Sequence, residues 1–126
     1  ILIYLKMIKS KHFSESEFKR CTPSSSLQDM NQQTIDRFDK ARDIAGIPFV
    51  INCAFRSSAW DKAKGRSGTG AHTLGRAIDI RCNADRNRFL IIDALLKSGF
   101  TRIGIAKTYI HADDSPGHSQ QVAWMY

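Results

Sequence analysis

A carboxylate stands in the middle of an apolar run, Ala77-Ile78-Asp79-Ile80-Arg81, and few architectures accommodate one there. Successive side chains of a strand point to opposite faces, so Ile78 and Ile80 share one face and Asp79 takes the other. A sheet built on this strand buries one face and carries a charge on the second. That charge needs a partner, and a cation is the natural one. Seven positions earlier, His72 leaves a glycine-rich stretch, Gly65-Arg66-Ser67-Gly68-Thr69-Gly70, which reads as a surface loop. It is not a phosphate-binding loop, because no Gly-Lys-Ser/Thr follows it. His111 stands in another strand-like run, Tyr109-Ile110-His111-Ala112, and Asp113 two residues on can share its face.

The rest of the pattern predicts an α+β domain. Ser14 with Glu17 three residues on is a helix cap, and that short helix runs to about Arg20. Thr22-Pro23-Ser24-Ser25-Ser26 is a turn, and Leu27 to Ala45 reads as one amphipathic helix closed by Gly46. Phe49 to Cys53 is a buried strand, Ala59 to Lys64 a short helix, and Ala84 to Ser98 a helix ended by Gly99. Arg102-Ile105 and Tyr109-Ala112 form a hairpin, and Val122-Tyr126 is a last strand. The expectation is two or three helices against a small, mainly antiparallel sheet. With 126 residues this is a single domain, 1–126, in which residues 1–8 form a flexible N-terminal extension.

Nineteen Lys and Arg against twelve Asp and Glu give a net charge of +7, which favours polyanionic partners. No nucleic acid is expected among them, since zinc-finger spacing, a helix-turn-helix signature and an aromatic RNA-binding motif are all missing. The apolar start, Ile1 to Met7, is too short to span a bilayer or serve as an export signal, so no membrane insertion is expected. Cys21, Cys53 and Cys82 match no paired C-x-x-C motif. They read as buried, inert thiols, with one bridge plus a free thiol as the alternative.

His72, Asp79 and His111 would supply three corners of a tetrahedral metal site and leave the fourth for water. Spacing alone leaves a second reading open, in which each is an ordinary buried polar residue. Ala71-His72-Thr73-Leu74-Gly75-Arg76-Ala77-Ile78-Asp79-Ile80, followed by Tyr109-Ile110-His111-Ala112-Asp113, resembles the zinc D-alanyl-D-alanine carboxypeptidase family. That family includes phage endolysins and vancomycin-resistance D,D-dipeptidases, and it shares its fold with the hedgehog signalling domain. Its signature, Ser-x-His-x-x-Gly-x-Ala-x-Asp with a later strand His, is met by His72, Gly75, Ala77, Asp79 and His111. The resemblance implies one zinc ion on His72, Asp79 and His111. Ala54-Phe55-Arg56-Ser57 resembles the family's Gly-Tyr-Arg-Ser, which implies that Arg56 and Ser57 bind substrate. Both ends of the chain, Lys11-His12-Phe13 and Val122-Tyr126, resemble those of short single-domain members.

Two positions depart from the pattern. Thr108 stands where many relatives have an acidic general base, and Gly70 replaces the signature Ser. Asp113 is then the candidate base, or the residue that orients a ligand His, and His118 in the following turn is a candidate proton shuttle. The reading as a whole is a metallopeptidase that cuts peptidoglycan stem peptides, as D,D-carboxypeptidase or endopeptidase. The alternative is an inactive zinc-bearing cell-wall binding module. A monomer is expected, acting on the bacterial wall in the periplasm or outside the cell, and cytoplasmic until export or lysis.

Overall fold

The computed structural model describes residues 6–126. The expected N-terminal extension over 1–8 therefore lies mostly outside the described residues. Ile8, at its end, is docked: its N–H and C=O pair with the Gln28 side-chain amide at 2.8 and 3.0 Å. No helix of the described residues is long and apolar enough to cross a membrane.

Five strands form one sheet: β1 Ile51–Cys53, β2 Ala77–Arg81, β3 Arg102–Ile105, β4 Tyr109–Asp113 and β5 Val122–Met125. Their order is β1-β2-β4-β3-β5. The first three pairings are antiparallel, but β5 runs parallel to β3, so the sheet is mixed. The helices are α1 Glu15–Lys19, α2 Gln32–Ala45, α3 Ser58–Ala63 and α4 Asp85–Lys97. Two of these are long, and two are short turns that position loops.

The helix expected from Leu27 to Ala45 is interrupted. A 3-10 turn, Leu27–Asp29, is capped by Ser26, whose hydroxyl accepts from the Gln28 N–H at 3.0 Å. Met30 is extended, and Asn31 then caps α2 by accepting from the Thr34 N–H at 3.1 Å. Two capping side chains five residues apart start two helical segments where apolar spacing suggested one.

Ile78 and Ile80 of β2, Ile103 of β3, and Ile110 and Ala112 of β4 are buried with Phe38 of α2, Ile91 and Leu95 of α4, and Phe100. Phe38 and Phe100 meet at 4.4 Å between ring centres. Each of these large side chains contributes about 2 kcal/mol by leaving water.

Strand register draws one row across the second face. Cys53 lies opposite Asp79, Asp79 opposite His111, His111 opposite Gly104, and Gly104 opposite Trp124. Every strand contributes one member. Gly104 leaves room for an aromatic lid: a Cβ there would stand 2.7–2.8 Å from atoms of the Trp124 and Tyr126 rings.

Candidate metal centre

Alternation within β2 sends Asp79 to the face away from Ile78 and Ile80, as the sequence pattern required. His72 arrives from a 3-10 turn, Ala71–Leu74, that Gly75 terminates in the left-handed region at φ 69°. The three expected ligands converge, and all are buried, at 6–8% exposure. His72 Nε2 lies 3.2 Å from Asp79 Oδ1, and His111 Nδ1 lies 2.9 Å from the same oxygen.

The opposite nitrogen of each ring is also held. His72 Nδ1 donates to the Ala54 carbonyl at 2.5 Å. His111 Nε2 faces Asp113 Oδ2 at 2.6 Å. Asp113 is almost wholly buried, and Arg102 Nε at 2.7 Å and the Ser115 N–H at 3.1 Å complete its partners. Burial would raise its carboxyl, but His111, the Ser115 amide and Arg102 together hold it below the usual range. An ionised Asp113 makes His111 Nε2 the donor, which turns the Nδ1 lone pair toward Asp79. Two imidazole lone pairs and a carboxylate oxygen then face one another, an arrangement that repels unless a cation or proton lies among them. These donors suit a borderline metal such as zinc.

Without a metal, a proton does the same task. Burial favours neutral His72, but hydrogen bonding and charge from Asp79, with a further contribution from Cys53, outweigh it and push the ring up to about 9. Asp79 is held well below the carboxylate range: burial opposes ionisation, and its bonds to His111 and His72 override that. A histidine raised in the folded state stabilises fully below its ordinary value of 6.5, and this contribution disappears as pH climbs through about 9. Metal-free protein is therefore expected to lose stability between pH 6.5 and 9, read as a falling urea midpoint, and His72→Asn should flatten that slope. Metal binding displaces the same proton, so affinity should rise across the same window.

Cys53 forms a second candidate triad. Its Sγ, a His72 ring nitrogen and an Asp79 oxygen all lie within 4.8 Å of one another. Sγ is 3.9 Å from His72 Nδ1, the nitrogen already committed to Ala54, and it accepts from Arg56 Nε at 3.2 Å. It thus flanks the back of the His72 ring, whereas His111 faces the front. All three cysteines are free and buried, and burial pushes the Cys21 thiol up to about 12, as expected of inert thiols.

Arg56 leans over the centre, 3.7 Å from Asp79 Oδ2 and 3.9 Å from buried Asp61. Ser57 caps α3, its hydroxyl accepting from the Trp60 N–H at 3.0 Å. The glycine-rich loop is more anchored than a surface loop, since the Gly68 N–H donates to Asp61 Oδ2 at 3.1 Å and Gly68 is buried. His118 meets Ser115 Oγ at 2.7 Å, and among the described residues it makes no hydrogen bond to His72, Asp79 or His111. Thr108 lies in the β3–β4 turn, where its carbonyl accepts from the Cys82 N–H.

Sequence reasoning passed over Cys53, Arg102, Gly104, Tyr109 and Trp124 as site residues. Trp124 stacks on His111 at 5.5 Å, and Arg102 lies 5.1 Å over Trp124. Arg20, Thr22, Ile51, Asn52, Cys53, Arg56, Asp79 and Tyr109 line an open cleft of about 480 Å³.

In comparisons with known proteins, the family model described as Peptidase M15 matches residues 11–113. No curated protein matches the chain.

Proposed function

The chain belongs to the peptidase M15 family, and on that premise we propose that it hydrolyses peptide bonds of peptidoglycan stem peptides, as carboxypeptidase or endopeptidase. The observation that carries the reading is the approach of His72 Nε2 and His111 Nδ1 to one Asp79 oxygen, with the opposite nitrogens held.

His72, Asp79 and His111 would hold zinc, which when bound polarises the scissile carbonyl and makes a water acidic enough to attack near neutral pH. Asp113 positions His111 rather than touching substrate, because both its oxygens are occupied and it is buried. Arg56 offers a guanidinium at the rim of the cleft for a substrate carboxylate or carbonyl next to the scissile bond. Tyr109 lines the same cleft, and burial with its neighbours Tyr126 and Asp79 keeps its hydroxyl protonated, ready to donate to an oxygen gaining charge. His118 would move protons only through Ser115 or water, given its present partner.

The test is zinc content of the purified protein, with digestion of purified peptidoglycan with and without a chelator. One zinc per chain and chelator-sensitive peptide release are expected. Zinc without release would favour an inactive binding module, which the non-acidic Thr108 would suit.

The choice between the two triads has its own test. With His111 as third ligand, Cys53→Ser retains zinc within about threefold, and the cobalt-substituted protein shows no thiolate-to-metal charge-transfer band. A strong band in the wild type, lost in Cys53→Ser, would put the thiolate in the ligand set instead.

A further inference from the structure

The cleft beside Asp79 is lined by two arginines, Arg20 and Arg56, and the proposed chemistry uses only Arg56. Arg20 is the C-terminal cap of α1, where its backbone N–H returns to Ser16 and Phe18. The next two residues fix it against the sheet edge. Cys21 is buried, and the Thr22 N–H donates to the Asn52 carbonyl of β1 at 3.0 Å. Arg20 therefore projects from a braced corner into the cleft that Asp79, Arg56 and Tyr109 also line.

Most arginines near the centre are matched to internal carboxylates. Arg37 and Arg76 meet Asp114, Arg102 meets Asp113, and Arg56 and Arg66 flank Asp61. Arg20 forms no ion pair with a carboxylate among the described residues. The nearest acid on its own helix, Glu17, also lines a smaller groove with Arg20, but its Oε2 accepts from the Ser14 N–H at 2.7 Å as part of the cap. The only carboxylate lining the main cleft is Asp79, which the two histidines engage. The remaining lining is neutral: Thr22, Ile51, Asn52, Cys53 and Tyr109. Arg56 already faces Asp61 and Asp79, so Arg20 is the cleft's unmatched guanidinium, placed to take an anionic group of a ligand.

We propose that Arg20 is a specificity-determining residue that reads a carboxylate of the substrate apart from the group that Arg56 takes, so that the preferred peptide carries a free acidic group there. This rests on the peptidase reading for the identity of the ligand, while the charge argument stands on the cleft alone. The braced backbone fixes where the side chain leaves the helix, and a substrate carboxylate in the cleft gives the guanidinium a charge-assisted partner. Because Arg20 is exposed, the pair is open to screening by salt.

The experiment compares two stem pentapeptides that differ only in whether the D-glutamate α-carboxylate is free or amidated. Both are offered to the zinc-loaded wild type, Arg20→Gln and Arg20→Lys. The wild type is expected to prefer the free acid by about three- to tenfold in kcat/KM, chiefly through KM, and added salt should erode the preference. Arg20→Gln should bring the ratio close to one, and Arg20→Lys should keep part of it. Should neither peptide be cut, calorimetric Kd values for the same pairs replace kcat/KM.

Cleavage of both peptides with a ratio that Arg20→Gln does not alter would overturn the role of Arg20 and leave the peptidase reading standing. Binding that favours the acid through Arg20, with no cleavage, would remove the peptidase reading and support Arg20. Neither cleavage nor binding would remove both.

Discussion

Asp79→Ala protein is expected to bind zinc more than about a hundredfold more weakly than wild type and to release no peptide from peptidoglycan. Loss of a residue that merely orients a ligand costs metal sites about ten- to a hundredfold, and a direct ligand stands at or above the top of that range. Here the carboxylate is also the hub on which the two histidines converge, at 3.2 and 2.9 Å. Without it the two rings lose their shared acceptor, and the Asp79 part of the pull that raises His72 is lost. Two readouts follow: zinc content should fall, and the loss of metal-free stability between pH 6.5 and 9 should flatten. Asp79→Asn keeps the shape and serves as the second variant, in case alanine disturbs the strand. Full activity in either variant would sink the ligand assignment.

A substitution outside the metal centre should have the largest effect on stability. Gly75→Ala is expected to cost about 2–4 kcal/mol, from a left-handed backbone that L-residues resist and from overpacking. Gly75 sits at φ 69°, and a Cβ there would collide with the carbonyl oxygen of Asp29 and stand 3.1 Å from the Met30 Cα. Backbone rather than a flexible side chain blocks the space, so little can yield. The Gly75 carbonyl also accepts from the Asn31 N–H at 2.9 Å, which joins the His72 turn to the start of α2. Urea unfolding should show a lower midpoint with an unaltered slope. Gly65→Ala is the comparison: it has a left-handed φ of 83° but nothing within 4 Å of its Cβ, so it should lose only the conformational part. Equal losses in the two would refute the packing argument.

The sheet face that carries the centre was legible because Asp79 interrupts an apolar alternation, and period two allows it one side only. His111 could be read the same way, since Ile110 and Ala112 flank it. Both inferences rest on local sequence. What escaped depends on register between strands distant in the chain. Nothing local says that Cys53 will lie opposite Asp79, or that Gly104 and Trp124 will continue the row past His111. The parallel pairing of β5 with β3 is of the same kind: it is the one parallel pairing in a sheet that is mainly antiparallel, as expected. Asp113 shows a different limit. Its position beside His111 was foreseen, but its burial and its bonds to Arg102 and Ser115, which leave it no free oxygen for substrate, required the neighbouring strand and the turn after it. The break in the long helix is written in Ser26 and Asn31, whose capping side chains start two helical segments where apolar spacing alone suggests one.

The row from Cys53 to Trp124 takes one residue from each strand, including the two edges. His72 and His111 are 39 positions apart in the chain, so no short fragment can assemble the centre. With His72, Asp79 and His111 as ligands, ion binding would be thermodynamically linked to closure of the sheet rather than to the order of one loop. Amide protons of β2, β3 and β4 should slow together in native-state exchange when zinc is added, as one cooperative unit. The same linkage would make metal supply a control on lifetime: a chain that folds where zinc is scarce would open more often, and proteases would reach it sooner.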